Sequence, residues 1–330
     1  MKLLRKLTLP IAFIYGLVVR TRNFCYDTGI LASRAFVTPT ICIGNLSLGG
    51  TGKTPMAELL IGLFRETHRL AVLSRGYKRR SRGFVLADSD SDAGDLGDEP
   101  LQLFSKFPGL IVAVDANRRR GISRLEQQLA PDLIILDDAF QHRKVRPDVS
   151  ILLTAYGNLY TDDYYLPAGN LRDSPKEARR ADIIVVTKCP PGISDAEQQQ
   201  ITAELHPGPH QQVLFASLEY DTLLVGAGKP LSLKDLKDKP LTLVTGIASS
   251  EPLEVFLKGE GLVYDHRRFR DHHFFSREEL EQIVSLPLVL TTEKDYMRMP
   301  EKPANLYYIT VKHRMLGRGK AMLKEKLLGL

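Results

Sequence analysis

Tryptophan is absent from the 330 residues, and cysteine occurs only at Cys25, Cys42 and Cys189. The three cysteines are far apart and make no C-x-x-C pair. A disulfide framework and a zinc site are therefore excluded, and a reducing cytoplasm fits. Long hydrophobic runs are missing too. A membrane-spanning helix needs about 20 apolar residues, and the best candidate runs only from Leu7 to Val19. No small-x-small cleavage site follows it, so it does not read as a signal peptide. Basic residues stand on both sides, ending with Arg20 and Arg22. The pattern predicts a helix at residues 1–22 lying in the membrane interface with its charges at the headgroups. A buried helix packed on the protein is the competing reading. Low-complexity segments and internal repeats are also lacking.

The composition present is that of a globular protein, 43% hydrophobic and 25% charged, with a net charge of +6. Basic residues come in small groups, such as Lys78-Arg79-Arg80-Arg82, Arg118-Arg119-Arg120, Arg143-Lys144-Arg146 and Arg267-Arg268-Arg270. These favour an anionic partner. No base-stacking aromatics are interleaved with them, which disfavours nucleic acid.

From residue 40 the chain alternates strand and helix. "TICIGN", "RLAVLS", "LIVAV", "LIIL", "VSILLTA" and "DIIVVT" are near-continuous Val/Ile/Leu runs. Strands of that kind are buried on both faces, as in a parallel sheet covered by helices. Residues 88–98 read as an acidic loop. After residue 190 the pattern weakens, and residues 211–225 read as extended linker strands. A second α/β unit then begins with "PLTLVTG", and Ser276 with Glu279 forms a capping box before another helix. The expected division is 1–22, 23–212, a linker at 213–228, and 229–330.

The motif richest in chemistry is "GNLSLGGTGKTP", between a strand and a helix. It departs from G-x-x-x-x-G-K-[ST] at Ser47, where the first glycine belongs. The segment Ser47, Leu48, Gly49, Gly50, Thr51, Gly52, Lys53, Thr54 still predicts a phosphate-binding loop. Its glycines let backbone N–H groups curl around phosphate oxygens, Lys53 reaches the β- and γ-phosphates, and Thr54 offers a hydroxyl to Mg²⁺. Asp137 and Asp138 end a hydrophobic strand, where such proteins hold a metal or a water. In "GDEP", Asp98 reads as a helix N-cap with Pro100 in the first turn. A kinase also needs a carboxylate for the acceptor hydroxyl. The adjacent His272 and His273 are too close together for an i, i+4 zinc pair, but a histidine can orient a carboxylate base.

The ordered set "GNLSLGGTGKTP", "SRGY", "GDEP", "LDDAFQH", "LPAGNLRDSPKEARRAD", "FRDHHFF" and "TTEKD" resembles the tetraacyldisaccharide 4'-kinase family over nearly the whole chain. The resemblance implies a P-loop NTPase-like parallel-sheet domain and a smaller, Rossmann-like α/β domain, joined by a two-stranded link and docked on the membrane by the N-terminal helix. It implies transfer of the ATP γ-phosphate to the 4'-hydroxyl of an acylated disaccharide 1-phosphate at the cytoplasmic face of the bacterial inner membrane. No nucleic acid and no obligate protein partner are expected. Asp98 matches the family's catalytic base and His272 its dyad partner. Glu99, Asp137 and Asp138 join Thr54 at the Mg²⁺ and phosphate end, with Gln141 and His142 nearby. Arg75 or Arg172 is expected at the substrate's 1-phosphate. Ala139 stands where the family often has glycine, so the turn there must tolerate a Cβ.

The runner-up is a membrane-associated P-loop switch or assembly ATPase. Members with the deviant loop carry a lysine before the glycine pair, where this chain has Leu48. A GTPase requires N/T-K-x-D. "VTKCP" supplies Thr187 and Lys188, but Pro190 replaces the aspartate, and "TEKD" has one residue too many. A soluble small-molecule kinase leaves the N-terminal helix unexplained.

Overall fold

In a computed structural model, which describes residues 7–329, the chain builds two sheets. The larger takes β1 (Thr40–Asn45), β2 (Leu70–Ser74), β3 (Val85–Leu86), β4 (Ile111–Val114), β5 (Leu133–Leu136), β6 (Val149–Ala155), β7 (Ile183–Thr187) and β8 (Gln212–Tyr220). The smaller takes β9 (Leu223–Gly226), β10 (Leu231–Ser232), β11 (Leu241–Thr245), β12 (Asp265–Arg268), β13 (Leu288–Thr292) and β14 (Leu306–Ile309). The chain then returns, and β15 (Val311–Met315) pairs antiparallel with β8 at the edge of the larger sheet.

The larger sheet runs β15-β8-β7-β6-β1-β5-β2-β4-β3 and is parallel from β8 to β4. Its central strands are buried along their whole length, as their aliphatic runs require. One core lies on each face. The helix Lys53–Phe64 supplies Met56, Leu60, Ile61 and Phe64 to one of them, and Ile122 and Leu125 serve the other. The smaller sheet, ordered β10-β9-β14-β13-β11-β12, is parallel through its last four strands and has its own core.

The segment expected as a linker divides differently. β8 up to Tyr220 belongs to the larger sheet, and so does β15 near the C-terminus. The lobes are joined where β8 passes into β9 and β14 into β15. There the Asp221 N–H donates to the Thr310 carbonyl at 3.1 Å, and Asp221 accepts from Thr310 Oγ1 at 2.6 Å and Lys312 Nζ at 2.9 Å. The acidic segment 88–98 is not all loop. Asp92 and Asp95 form a capping box that starts the short helix Ala93–Leu96.

The helix Leu9–Asp27 lies against the larger lobe. Gly16 permits this contact, since a Cβ there would fall 2.8 Å from the Tyr165 ring. Tyr15 donates to the Arg172 carbonyl, and Asn23 and Arg22 donate to Asp173. The opposite face leaves Ile11, Phe13, Ile14, Leu17 and Val18 exposed, Phe13 by 72%. Among the described residues no helix is long and apolar enough to cross a membrane. Residues 1–6 of the expected anchor lie outside the described residues.

Candidate active site

β1 delivers the glycine loop to the larger sheet's edge of strand ends, and the helix Lys53–Phe64 leaves it. Gly49 and Gly52 have φ of +112° and +83°, the left-handed region open to glycine. Asn45 at the end of β1 braces the loop by donating to Thr51 Oγ1 at 2.8 Å. Gln141 donates to the Asn45 carbonyl at 2.7 Å.

Facing the loop, β5 ends at Asp137 and Asp138. Asp137 accepts from Ser74 Oγ at 3.0 Å. Burial, with the charges of Asp138 and Glu99, pushes its carboxyl up to about 6. Burial works on Asp138 in the same sense, but Lys53 and Arg172 outweigh it and bring that carboxyl down to about 2. Arg172 is committed to Asp138 and Asn45 beside the loop. Asp138, with φ of +45°, carries the left-handed turn, so Ala139 is spared the conformation that favours glycine. The buried Arg118 donates to the carbonyls of both aspartates and holds the turn from behind.

Asp98 is not the N-cap of its helix. The helix runs Asp98–Lys106, and Gly97, with φ of +88°, caps it. The Asp98 side chain is thereby free of its own backbone and turns to the smaller lobe. There His272 Nδ1 donates to Oδ2 at 2.9 Å, and Arg298 Nε donates to the same oxygen at 2.7 Å. Arg298 is itself buried, bonding Asp295 Oδ1 at 2.9 Å and the Gly246 carbonyl at 3.0 Å. Burial alone raises the Asp98 pKa. The His272 hydrogen bond and the Arg298 charge outweigh it and hold the carboxyl below the usual range. His272, at φ +59°, diverges from its neighbour. His273 stays within the smaller lobe, stacked on Phe269 and bonded to Glu279 at 2.8 Å.

Glu99 accepts from Lys294 at 2.8 Å, which also crosses between the lobes. The two halves of the site adjoin. Burial lowers the Lys53 pKa, and the charges acting on Lys53 come from Asp138, Arg172, Asp137 and Lys294. The structure thus gathers loop 47–54, Asp137, Asp138, Glu99, Asp98 and His272. Arg298, Asn45 and Lys294 were not found by sequence reasoning. "TEKD" was visible as a motif, and its helical spacing from Lys294 to Arg298 was the available signal for both cations.

Among the described residues no cluster of three or more His, Cys, Asp or Glu forms a ready cage for a metal. Mg²⁺ in phosphate sites takes one or two protein oxygens and fills its octahedron with phosphate and water. Thr54 and the buried Asp137 fit that demand.

The family model described as Tetraacyldisaccharide-1-P 4'-kinase matches residues 4–329. The chain belongs to this family. A tetraacyldisaccharide 4'-kinase of Flavobacterium johnsoniae is 48% identical over 94% of this chain and 93% of its own. One from Bacteroides thetaiotaomicron is 45% identical over 89% and 83%. The crystal structure of LpxK from Aquifex aeolicus in complex with ATP superposes with a TM-score of 0.80, at 29% identity and 99% coverage of both chains. Kinase family, ATP-dependent class and α/β fold thus agree with the expectations from the motifs.

Proposed function

We propose that this chain transfers the γ-phosphate of ATP to the 4'-hydroxyl of an acylated glucosamine disaccharide 1-phosphate, a step of lipid A synthesis. The observation that carries the reading is the meeting of Asp98 with His272 and Arg298 across the lobe boundary, beside a P-loop.

The loop's N–H groups and Lys53 hold the β- and γ-phosphates. Thr54 and Asp137, with Asp138 and Glu99 adjacent, would hold Mg²⁺, which when bound would neutralise phosphate charge. Both bonds to Asp98 fall on Oδ2, so Oδ1 meets the acceptor. The 4'-hydroxyl proton passes to Oδ1 while its oxygen bonds the γ-phosphorus. The bond from that phosphorus to the β–γ bridging oxygen breaks, and ADP leaves with the electron pair. An acid with a depressed pKa is a weak base, but phosphoryl transfer asks chiefly for positioning. His272 and Arg298 position Asp98, and because both belong to the smaller lobe the site is complete only with the lobes together. The exposed apolar face of Leu9–Asp27 supports peripheral docking at the cytoplasmic face of the inner membrane.

The test is transfer of labelled γ-phosphate from ATP to the acylated disaccharide 1-phosphate in detergent micelles. Transfer is expected, with Asp98→Ala and His272→Ala each slowing it roughly 10²–10⁴-fold. The double variant is expected to fall little further, since the pair acts as a unit. ATP hydrolysis without transfer would favour the switch ATPase. A large loss in His273→Ala but not His272→Ala would reassign the histidine.

A further inference from the structure

Two successive carbonyls at the base of the phosphate loop are held from behind by residues with no role in the scheme above. The first is Thr51 O. In a helix it would accept from residue 55, but that residue is Pro55, which has no N–H. Thr51 is buried, so an unbonded carbonyl there would be costly. Thr187 Oγ1, at the end of β7, makes the bond instead at 2.9 Å. Its single proton has a second acceptor, Thr154 O, farther away at 3.2 Å.

The second carbonyl is Gly52 O. It accepts the first helical bond from Met56 N at 3.1 Å and lies 2.9 Å from His313 Nε2 on β15. A carbonyl only accepts, so His313 carries its proton on Nε2. The ring presses on the loop, and a Cβ on Gly52 would fall 2.6 Å from Nε2. Both Thr187 and His313 are buried, and burial keeps the imidazole neutral by lowering its pKa.

A trans peptide is planar, with its C=O and N–H pointing opposite ways. Pulling the Thr51 and Gly52 carbonyls backward therefore aims the N–H groups of Gly52 and Lys53 forward. We propose that Thr187 and His313 form a rear clamp that pre-sets these two N–H groups for phosphate. They are positioning residues that never touch the nucleotide, and their effect belongs to ATP binding. The inference rests on the reading of loop 47–54 as the ATP site.

The experiment measures ATP affinity of the full chain by calorimetry, with KM and kcat for both substrates. Thr187→Val removes the hydroxyl at constant shape, and Thr187→Ser keeps it. His313→Gln carries an amide N–H to the place of Nε2, and His313→Asn is too short. The Val and Asn variants should bind ATP about tenfold more weakly, the size of one hydrogen bond to a charged group. The lipid KM should stay unchanged, and kcat at saturating ATP within a few-fold. The Ser and Gln variants should stay within about threefold of the parent, as partial misfolding would not allow. Parental ATP affinity in the Val and Asn variants overturns the clamp, as does an equal loss in Ser and Gln. Lys53→Ala separates the two readings. If it keeps full ATP affinity, the loop assignment falls and takes the clamp with it. If it loses affinity while Val and Asn do not, only the clamp falls.

Discussion

Replacing Arg298 by leucine removes one guanidinium that serves two buried acids. Asp98 is 7% exposed and Asp295 is fully buried. Asp295 keeps the Gly246 N–H at 3.0 Å and Thr292 Oγ1 at 2.6 Å. Asp98 keeps only His272 among these donors. Removing one partner of a buried ion pair costs about 3–5 kcal/mol, and the surviving bonds put the expectation near 3 kcal/mol. The same change acts on ionisation. The folded-state pKa of Asp98 is depressed, so its stabilising contribution is present above the unfolded pKa and lost as pH falls through the folded value. Without Arg298 the burial effect gains ground, the carboxyl protonates at higher pH, and the acid limb of kcat/KM moves up. Denaturant unfolding at pH 7 measures the first effect, and the pH–rate profile the second. In an Asp98→Asn background the cost of Arg298→Leu should shrink, because the unpaired charge is gone. An acid limb that coincides with the parent's, or fully additive costs in that cycle, would refute the reasoning.

Lys53→Ala and Thr54→Ala should each abolish turnover while leaving unfolding curves nearly unchanged; near-normal turnover at saturating ATP would show that the loop does not hold the transferred group. Deleting residues 1–22 should release the protein from anionic vesicles in a sedimentation assay, and unchanged binding would place the contact elsewhere. Glu58 lies buried against Lys106 Nζ at 2.9 Å, and Lys106 also bonds Glu293 across the lobes at 2.9 Å. Burial pushes the Glu58 carboxyl up to about 7, with Lys106 offsetting part of the effect. The folded chain therefore holds the proton that the unfolded chain releases above about 4.5, so stability falls as pH rises from there to 7, by at most roughly 3 kcal/mol. Glu58→Gln should flatten that slope in unfolding measured from pH 5 to 8, and parallel slopes would refute it.

The larger sheet was legible because its strands are written as unbroken aliphatic runs, a pattern set by burial on both faces. The loop was legible because phosphate binding demands glycine and lysine at fixed spacing. The sheet boundaries were not. β8 and β15 read as linker and as smaller-lobe sequence, since nothing local in "VLFASLEY" or "VKHRM" says which sheet will take it. Asp98 read as a cap because Asp before a helix usually is one. The residue that decided otherwise was Gly97, whose left-handed backbone moved the cap one place back. Asp138 likewise took the turn geometry that Ala139 was expected to bear.

The side chains that the smaller lobe contributes illustrate a deeper limit. Arg298, Lys294 and His272 meet acids 200, 195 and 174 residues earlier in the chain. No periodicity spans such distances. Yet the logic is visible once the lobes are in place. The helix Asp98–Lys106 presents Asp98 and Glu99 at one end and Lys106 at the other, and the helix Glu293–Arg298 answers with Arg298, Lys294 and Glu293. Each charge crosses to its opposite, so a sliding of the helices misaligns all three pairs together. Among the described residues the chain itself crosses only through the paired strand junctions at Asp221 and Thr310. The charged seam, with His272, holds the Asp98 carboxylate at the lobe boundary. The Asp98 carboxylate is therefore held by the same seam that joins the lobes, so the proposed chemistry is tied to that arrangement without a separate switch.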